Sequence, residues 1–159
     1  MKNIEFNTQI CTTIEQSKRL LELGLDDDTA DMFHPAQHIG KDIVRYSDSP
    51  MRVQEEHFEI FVDDLPAWSL HRLIAMLPDE VKMLPEVIKN IPEGTEKLSM
   101  ATIINRFVPK LTKNYVFYTD WCGWRKIFNE NDNIYDNIID CIEWLIKDGH
   151  FNKEYLKEE

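Results

Sequence analysis

Residues 132–149, DNIYDNIIDCIEWLIKDG, leave less conformational freedom than any other stretch of the chain. Ile134, Ile138, Cys141, Ile142 and Leu145 recur at the three- and four-residue spacing of one helix face, and Tyr135, Ile139 and Ile146 widen it. Asp136, Asp140, Glu143 and Lys147 fall on the opposite, wet side, and Gly149 suits the position just past a helix end. A helix over 133–148 with so broad an apolar stripe must be covered by another layer, so the rest of the chain has to supply one.

That layer is legible as a mixture of short helices and strands. In CTTIEQSKRLLELGLDDD, Thr12 with Glu15 has capping-box spacing, and Ile14, Leu20, Leu21 and Leu23 form an apolar side. Gly24 suits the C′ position, which predicts a helix over 13–23. LPAWSLHRLIAMLP has Pro66 near its start and Pro78 past its end; with Ser69, His71 and Arg72 its only polar residues, it predicts a mostly buried helix over 66–77. Residues 26–56 are irregular and acidic, with a strand signal at DIVRY; another follows in HFEIFV, where Phe58, Ile60 and Val62 alternate. Pro85 and Pro92 divide DEVKMLPEVIKNIPEG into helical turns. KLSMATIINRFV, NYVFYT and GWRKIFNE then read as antiparallel strands, joined around Pro109, Asn114 and Gly123. The expected fold class is α+β: three main helices packed on a small antiparallel sheet, in a single globular domain over 1–159. The tail, 152–159, has the charged composition of a segment that frays.

Charge narrows the partners. The net charge is −11, and residues 1–80 hold 16 acidic against 7 basic side chains. Residues 22–64 alone carry 12 acids against Lys41, Arg45 and Arg52. A field of that sign repels phosphate, so direct nucleic-acid binding and attraction to an anionic membrane are not expected. The longest apolar run, residues 73–77, is too short to span a bilayer, and MKNIEFNTQI lacks the apolar core of a secretory signal. With three widely spaced cysteines, Cys11, Cys122 and Cys141, this points to free thiols and a cytoplasmic location.

Three blocks, CTTIEQSKRLLELGLDDDTADM, LPAWSLHRLIAMLP and IIDCIEWLIKDG, resemble an uncharacterised family of small proteins encoded in Bacteroidetes genomes, often in prophages or conjugative elements. Its members typically show a Thr-Thr-Ile-Glu-Gln-Ser opening, here Thr12 to Ser17, then Ala-Asp-Met, here Ala30 to Met32. A Pro-Ala-Trp-Ser helix start follows, here Pro66 to Ser69. Relatives often carry Asn-Pro before the last helix, whereas Ile134 follows Asn133 here. The resemblance implies a bacterial, mobile-element setting and carries over no catalytic residue and no cofactor.

The motifs that suggest chemistry are incomplete. VFYTDWCGWRKIF places Cys122 where a thioredoxin-like redox turn has its nucleophile, but Arg125 stands where the resolving thiol is needed. Only 37 residues follow Cys122, too few for that fold, so a strand–turn–strand with Gly123 at the bend is the expectation, and Trp121 and Trp124 beside it are partner-binding candidates. His34 and His38 in HPAQH have the i,i+4 spacing of two metal ligands, with His57, Asp31 or Asp42 as a third. Pro35 occupies the position of the general base, so a surface loop with two histidines is the simpler expectation. Asp26, Asp27 and Asp28 begin an EF-hand-like count that fails at Ala30, Asp31 and Gln37, which leaves an acidic turn as a second partner-binding candidate. No nucleophile elbow, P-loop or dinucleotide fingerprint is present.

The functional expectation is a non-enzymatic, acidic accessory protein of a bacterial mobile element that binds another protein. The alternatives are an acidic DNA mimic that blocks a nucleic-acid-binding protein, and a metal-dependent enzyme built on the His34/His38 loop. The sequence does not fix the oligomeric state; an exposed strand edge near 98–107 would allow pairing across a two-fold axis.

Overall fold

The computed structural model describes residues 9–53, 63–83, 105–112, 116–119, 125–127 and 131–158. The fold is α+β, with three helices and three small antiparallel sheets among the described residues. The chain divides into two compact units, one of residues 1–76 with 152–159 and one of residues 77–151.

In the first unit, α1 spans Ile14–Glu22. Its cap is Thr13 and not Thr12: the Thr13 hydroxyl accepts from the Gln16 N–H, and the Gln16 side chain accepts from the Thr13 N–H. The capping-box spacing predicted from Thr12 and Glu15 is therefore kept but moved along by one residue. The reason is that the Thr12 hydroxyl is already engaged, with Ser17 and with the Trp68 backbone. At the other end, Gly24 takes φ +92°. The Gly24 N–H donates to Leu21 O and the Leu25 N–H to Leu20 O, which is the Schellman pattern, with Leu25 fully buried.

The acidic region that follows is more regular than its composition suggests. A 3-10 turn at Asp27–Thr29 leads into β1 (Met32–His34), β2 (Ala36–Ile39), β3 (Asp42–Tyr46) and β4 (Met51–Arg52). With β5 (Leu65–Ala67) they form two sheets, an antiparallel β4-β1-β5 and a separate β2-β3 hairpin. DIVRY is a strand as expected; HFEIFV lies outside the described residues.

Pro66 does not start a helix. It sits in β5 opposite Phe33, on an edge of the sheet where a missing N–H is tolerated. The helix α2 covers only Leu70–Ala75, capped by the Ser69 hydroxyl on the Arg72 N–H. Leu73 is its one buried residue and His71, Arg72 and Ala75 are exposed, so α2 is less covered than its apolar sequence implies. The charged tail is held in place: Lys153–Tyr155 form a 3-10 turn, Leu156 bridges to Leu25, and the Lys157 N–H donates to Gly24 O.

The second unit has a four-stranded antiparallel sheet in chain order: β6 (Val81–Met83), β7 (Asn105–Leu111), β8 (Val116–Thr119) and β9 (Arg125–Ile127). Two expectations change here. Residues 81–83 are strand where helical turns are predicted, and β7 runs through Pro109, which pairs with Tyr118 instead of ending the strand. Since β7 lies between β6 and β8, residues 105–107 are not a free edge. The last helix, α3 (Ile134–Lys147), is capped by Asn133, whose side chain accepts from the Tyr135 N–H. It buries Tyr135, Ile138, Ile139, Cys141, Ile142 and Leu145 as its spacing predicts, and Asn137 as well, while Ile134 and Ile146 are half-buried. It also packs on β8, where the Trp144 and Tyr118 rings stand 6.0 Å apart. Gly149, φ +73°, closes the helix with His150 N–H bonded to Leu145 O.

Candidate functional site

The polar chemistry of the first unit converges on the segment leading into α1. Thr12, Ser17 and Trp68 are all fully buried. The Thr12 N–H donates to Trp68 O at 2.9 Å, the Trp68 N–H donates to Thr12 Oγ1 at 3.0 Å, and Thr12 Oγ1 lies 2.7 Å from Ser17 Oγ. The Trp68 indole N–H donates to Thr29 Oγ1 at 2.9 Å. Beside this, the Asp31 carboxylate accepts from the Ser69 N–H at 2.8 Å and from the Ser69 hydroxyl at 2.5 Å, so that one side chain fixes the start of α2. Cys11, Met32 and Ala67 form the apolar floor below.

A cleft of about 370 Å³ opens here, lined by residues 9–15 with His34, Asp48 and Pro50. A thiol, an imidazole and a carboxylate on one cleft are the residue types of a nucleophile, a base and an orienting acid. Their geometry works against that use. Burial, with the Asp31 charge adding to it, pushes the Cys11 thiol up to about 11, and the thiol points at Thr12 O, 3.4 Å away. The reactive thiolate is therefore suppressed. His34 is 3% exposed, and both its ring nitrogens face backbone carbonyls: Nδ1 is 3.0 Å from Ser47 O and Nε2 is 2.9 Å from Thr12 O. Neither nitrogen is aimed at a substrate or at a metal.

The two histidines of HPAQH consequently part company. They do not share a helix face, because His34 ends β1 and His38 lies on β2. Nor do they form a surface loop: His34 is core, held by carbonyls at both nitrogens, while His38 is exposed, 3.7 Å from Asp63. His57 lies outside the described residues. Among the described residues no cluster of three His, Cys, Asp or Glu is placed to hold a metal ion.

Of the acidic candidates, Asp26 is spent on its own turn, accepting from the Asp28 N–H at 3.0 Å. Asp27 meets Lys157 at 3.4 Å. Slight burial opposes its ionisation, but a backbone hydrogen bond and Lys157 outweigh it and hold the carboxyl below its usual range. A second cleft of about 340 Å³ is lined by Asp26, Asp28, Thr29, Arg72, Glu154 and Tyr155, with Ala75 and Met76. Trp121, Cys122 and Trp124 lie outside the described residues; the flanking β8 and β9 pair antiparallel with Thr119 opposite Arg125.

The surface that composition does not single out is the β2-β3 hairpin. Ile39 pairs with Asp42 across the two-residue turn Gly40-Lys41, with φ positive only at Gly40, as a type II′ turn needs. Ile39, Val44 and Ile43 are 73%, 55% and 42% exposed, and Met51 at the start of β4 is also exposed. One signal was in the sequence: Ile43 and Val44 are consecutive, so a strand through DIVRY must turn one of them away from any single covering layer.

Among the described residues no helix is long and apolar enough to cross a membrane. Compared with protein-family models, with curated proteins and with solved structures, the chain matches none of them.

Proposed function

We propose that this chain is a non-enzymatic, acidic accessory protein of a bacterial mobile element, working in the cytoplasm by binding another protein. The observation that carries the binding role is the β2-β3 hairpin, a two-stranded ribbon that leaves Ile39, Ile43 and Val44 in solvent. Exposed apolar side chains on a strand edge favour a partner that adds an extended strand: main-chain bonds supply affinity and alternate side chains supply selectivity. The hairpin is also an exception to the chain's charge, since residues 36–46 carry Lys41 and Arg45 against Asp42 alone. A partner strand bearing apolar residues and a carboxylate fits it. The mobile-element setting rests on the resemblance of the Thr12–Ser17, Ala30–Met32 and Pro66–Ser69 motifs, and neighbouring genes for integration or transfer would support it.

The test is affinity capture from the host with the tagged wild type beside an Ile39→Asp/Val44→Asp double variant. Both substitutions sit on exposed positions, so the fold is expected to survive. A protein held by the wild type and lost with the variant supports the proposal. Capture of nothing above background, or capture that the variant leaves intact, refutes it. Of the twelve acids in residues 22–64 that the DNA-mimic alternative would draw on, Asp26, Asp31 and Asp64 accept backbone N–H groups of the fold itself.

A further inference from the structure

The charge of this chain is not acidic everywhere. The four strands of the second unit, β6 to β9, hold Lys82, Arg106, Lys110, Arg125 and Lys126 and none of the chain's 29 acidic residues. Strand propensity does not explain this, because lysine is depleted from strands as glutamate is. Pairing gathers three of these cations on one face. Lys82 stands opposite Arg106, Val108 opposite Thr119 and Lys110 opposite Phe117, and residues directly opposite in an antiparallel pair share a face. Tyr118, one residue on from Phe117, is buried on the other face, beside Trp144 of α3. Along β7 the exposure alternates accordingly: Phe107 is buried, whereas Arg106 is exposed over 72% of its side chain, Val108 over 39%, and Lys110 is exposed as well. Two cations directly opposite each other cost stability, so the pair Lys82 and Arg106 is not there for folding. Glu80 meets Arg106 at 3.5 Å, while Lys82 and Lys110 have no ion pair among the described residues.

We infer that this sheet face is a second binding surface, and that its partner is an extended protein segment with acidic, apolar and acidic residues at alternate positions. Side chains on one face of a strand recur every two residues, about 7 Å apart. An extended segment lying along β7 therefore meets Arg106, Val108 and Lys110 with three successive side chains of its own. Carboxylates suit the outer two places, and the planar guanidinium of Arg106 can hold one of them with two parallel N–H bonds. An aliphatic side chain suits the middle place, against Val108. A continuous phosphate chain fits less well. It would extend beyond these few cations into the field of a chain whose net charge is −11, whereas two carboxylates are attracted within a screening length. The surface lies in the other unit from the β2-β3 hairpin, and the inference does not depend on the hairpin's role.

The test is titration of the isotope-labelled full chain with a synthetic peptide, acetyl-Thr-Glu-Thr-Val-Thr-Glu-Thr-amide, followed through the backbone amide signals. A twin peptide with Lys in place of Glu and a short oligothymidylate single strand are run beside it. The acidic peptide is expected to move the amides of Lys82, Arg106, Val108 and Lys110 and to leave those of Ile39, Ile43 and Val44 in place; the lysine twin moves neither set. Raising the salt from about 0.05 M to about 0.5 M weakens the binding, because exposed charge pairs are screened. The Lys82→Glu/Lys110→Glu double variant, altered at two exposed positions, binds the acidic peptide about tenfold more weakly, through small gains lost and small repulsions added at each. Should that variant misfold, the wild type's salt response and the lysine twin decide by themselves. A sheet whose amides stay still at about 1 mM acidic peptide overturns the inference. So does movement confined to the hairpin, binding that salt leaves unchanged, or a folded double variant that binds as the wild type does. Equal binding of the lysine twin, or tighter binding of the oligothymidylate, removes an acidic protein segment as the partner.

Discussion

Replacing Thr12 by Val tests whether the buried hydroxyl, and not the shape of the residue, organises the first unit. Val keeps the branched outline and deletes only Oγ1. The Trp68 backbone N–H, 3.0 Å from that oxygen in a fully buried site, then faces a methyl group. An orphaned buried donor costs about 1–3 kcal/mol. The Ser17 hydroxyl, the other partner, can turn to the Thr13 carbonyl four residues back, so its loss is largely offset. The expected destabilisation is therefore about 2 kcal/mol, and with an urea m-value of about 2 kcal/mol/M the midpoint falls by about 1 M. Urea unfolding followed by circular dichroism measures it, with the Trp68 indole N–H resonance identifying the step that belongs to the first unit. Thr12→Ser is the control: it keeps the oxygen, loses one methyl, and is expected to cost only about 1 kcal/mol. If Thr12→Val lies within about 0.5 kcal/mol of wild type, or is no worse than Thr12→Ser, the hydroxyl is not what holds Trp68 and the account of the network fails.

Alkaline pH should weaken both units. Burial comes first among the causes that raise the Cys11 thiol, the Cys141 thiol and the Tyr118 phenol. A group raised in the folded state gives stability that is complete below its unfolded value and lost as pH rises towards the folded one. Urea midpoints are thus expected to be level up to about pH 8 and to fall above it, and a midpoint still level at pH 10 would count against the burial of these groups. Gly24→Ala places a Cβ at φ +92° with nothing within 4 Å of it, so the cost is conformational strain alone, about 1 kcal/mol in the same urea assay. Deleting residues 152–159 removes the Leu156–Leu25 bridge and the Lys157 N–H bond to Gly24 O, and should speed amide exchange through residues 24–30 while leaving α3 unchanged.

Periodic elements were legible because their signals are local. Ile138, Cys141, Ile142 and Leu145 lie on one face by spacing alone, and Gly149 ends α3 by a backbone rule that needs no partner. The elements that were not legible depend on distant residues. Thr12 and Thr13 are equally good caps in isolation, and only the demand of Trp68, 56 positions away, assigns the role to Thr13. Pro66 is a helix starter by propensity, yet pairing with Phe33 makes it a strand residue. His34 is an ordinary surface residue by composition, and becomes core only because Thr12 and Ser47 present carbonyls to both of its nitrogens.

The same cleft shows why residue types on one surface are poor evidence of catalysis. Cys11, His34 and Asp48 would pass as a nucleophile, a base and an acid, but an activated thiol needs a base with a free nitrogen and a nearby positive field. Cys11 instead has burial and the Asp31 charge raising it, and His34 spends its nitrogens on the backbone. Asp31 itself is committed to Ser69. Thr12, Ser17, Asp31, Trp68 and Ser69 are the residues that tie α1, β1 and the start of α2 together. Their contacts are accounted for by folding and leave activity unassigned. Among the described residues the exposed hairpin side chains Ile39, Ile43 and Val44 lie outside that network, so substituting them tests the proposed binding role without disturbing the contacts that hold the fold.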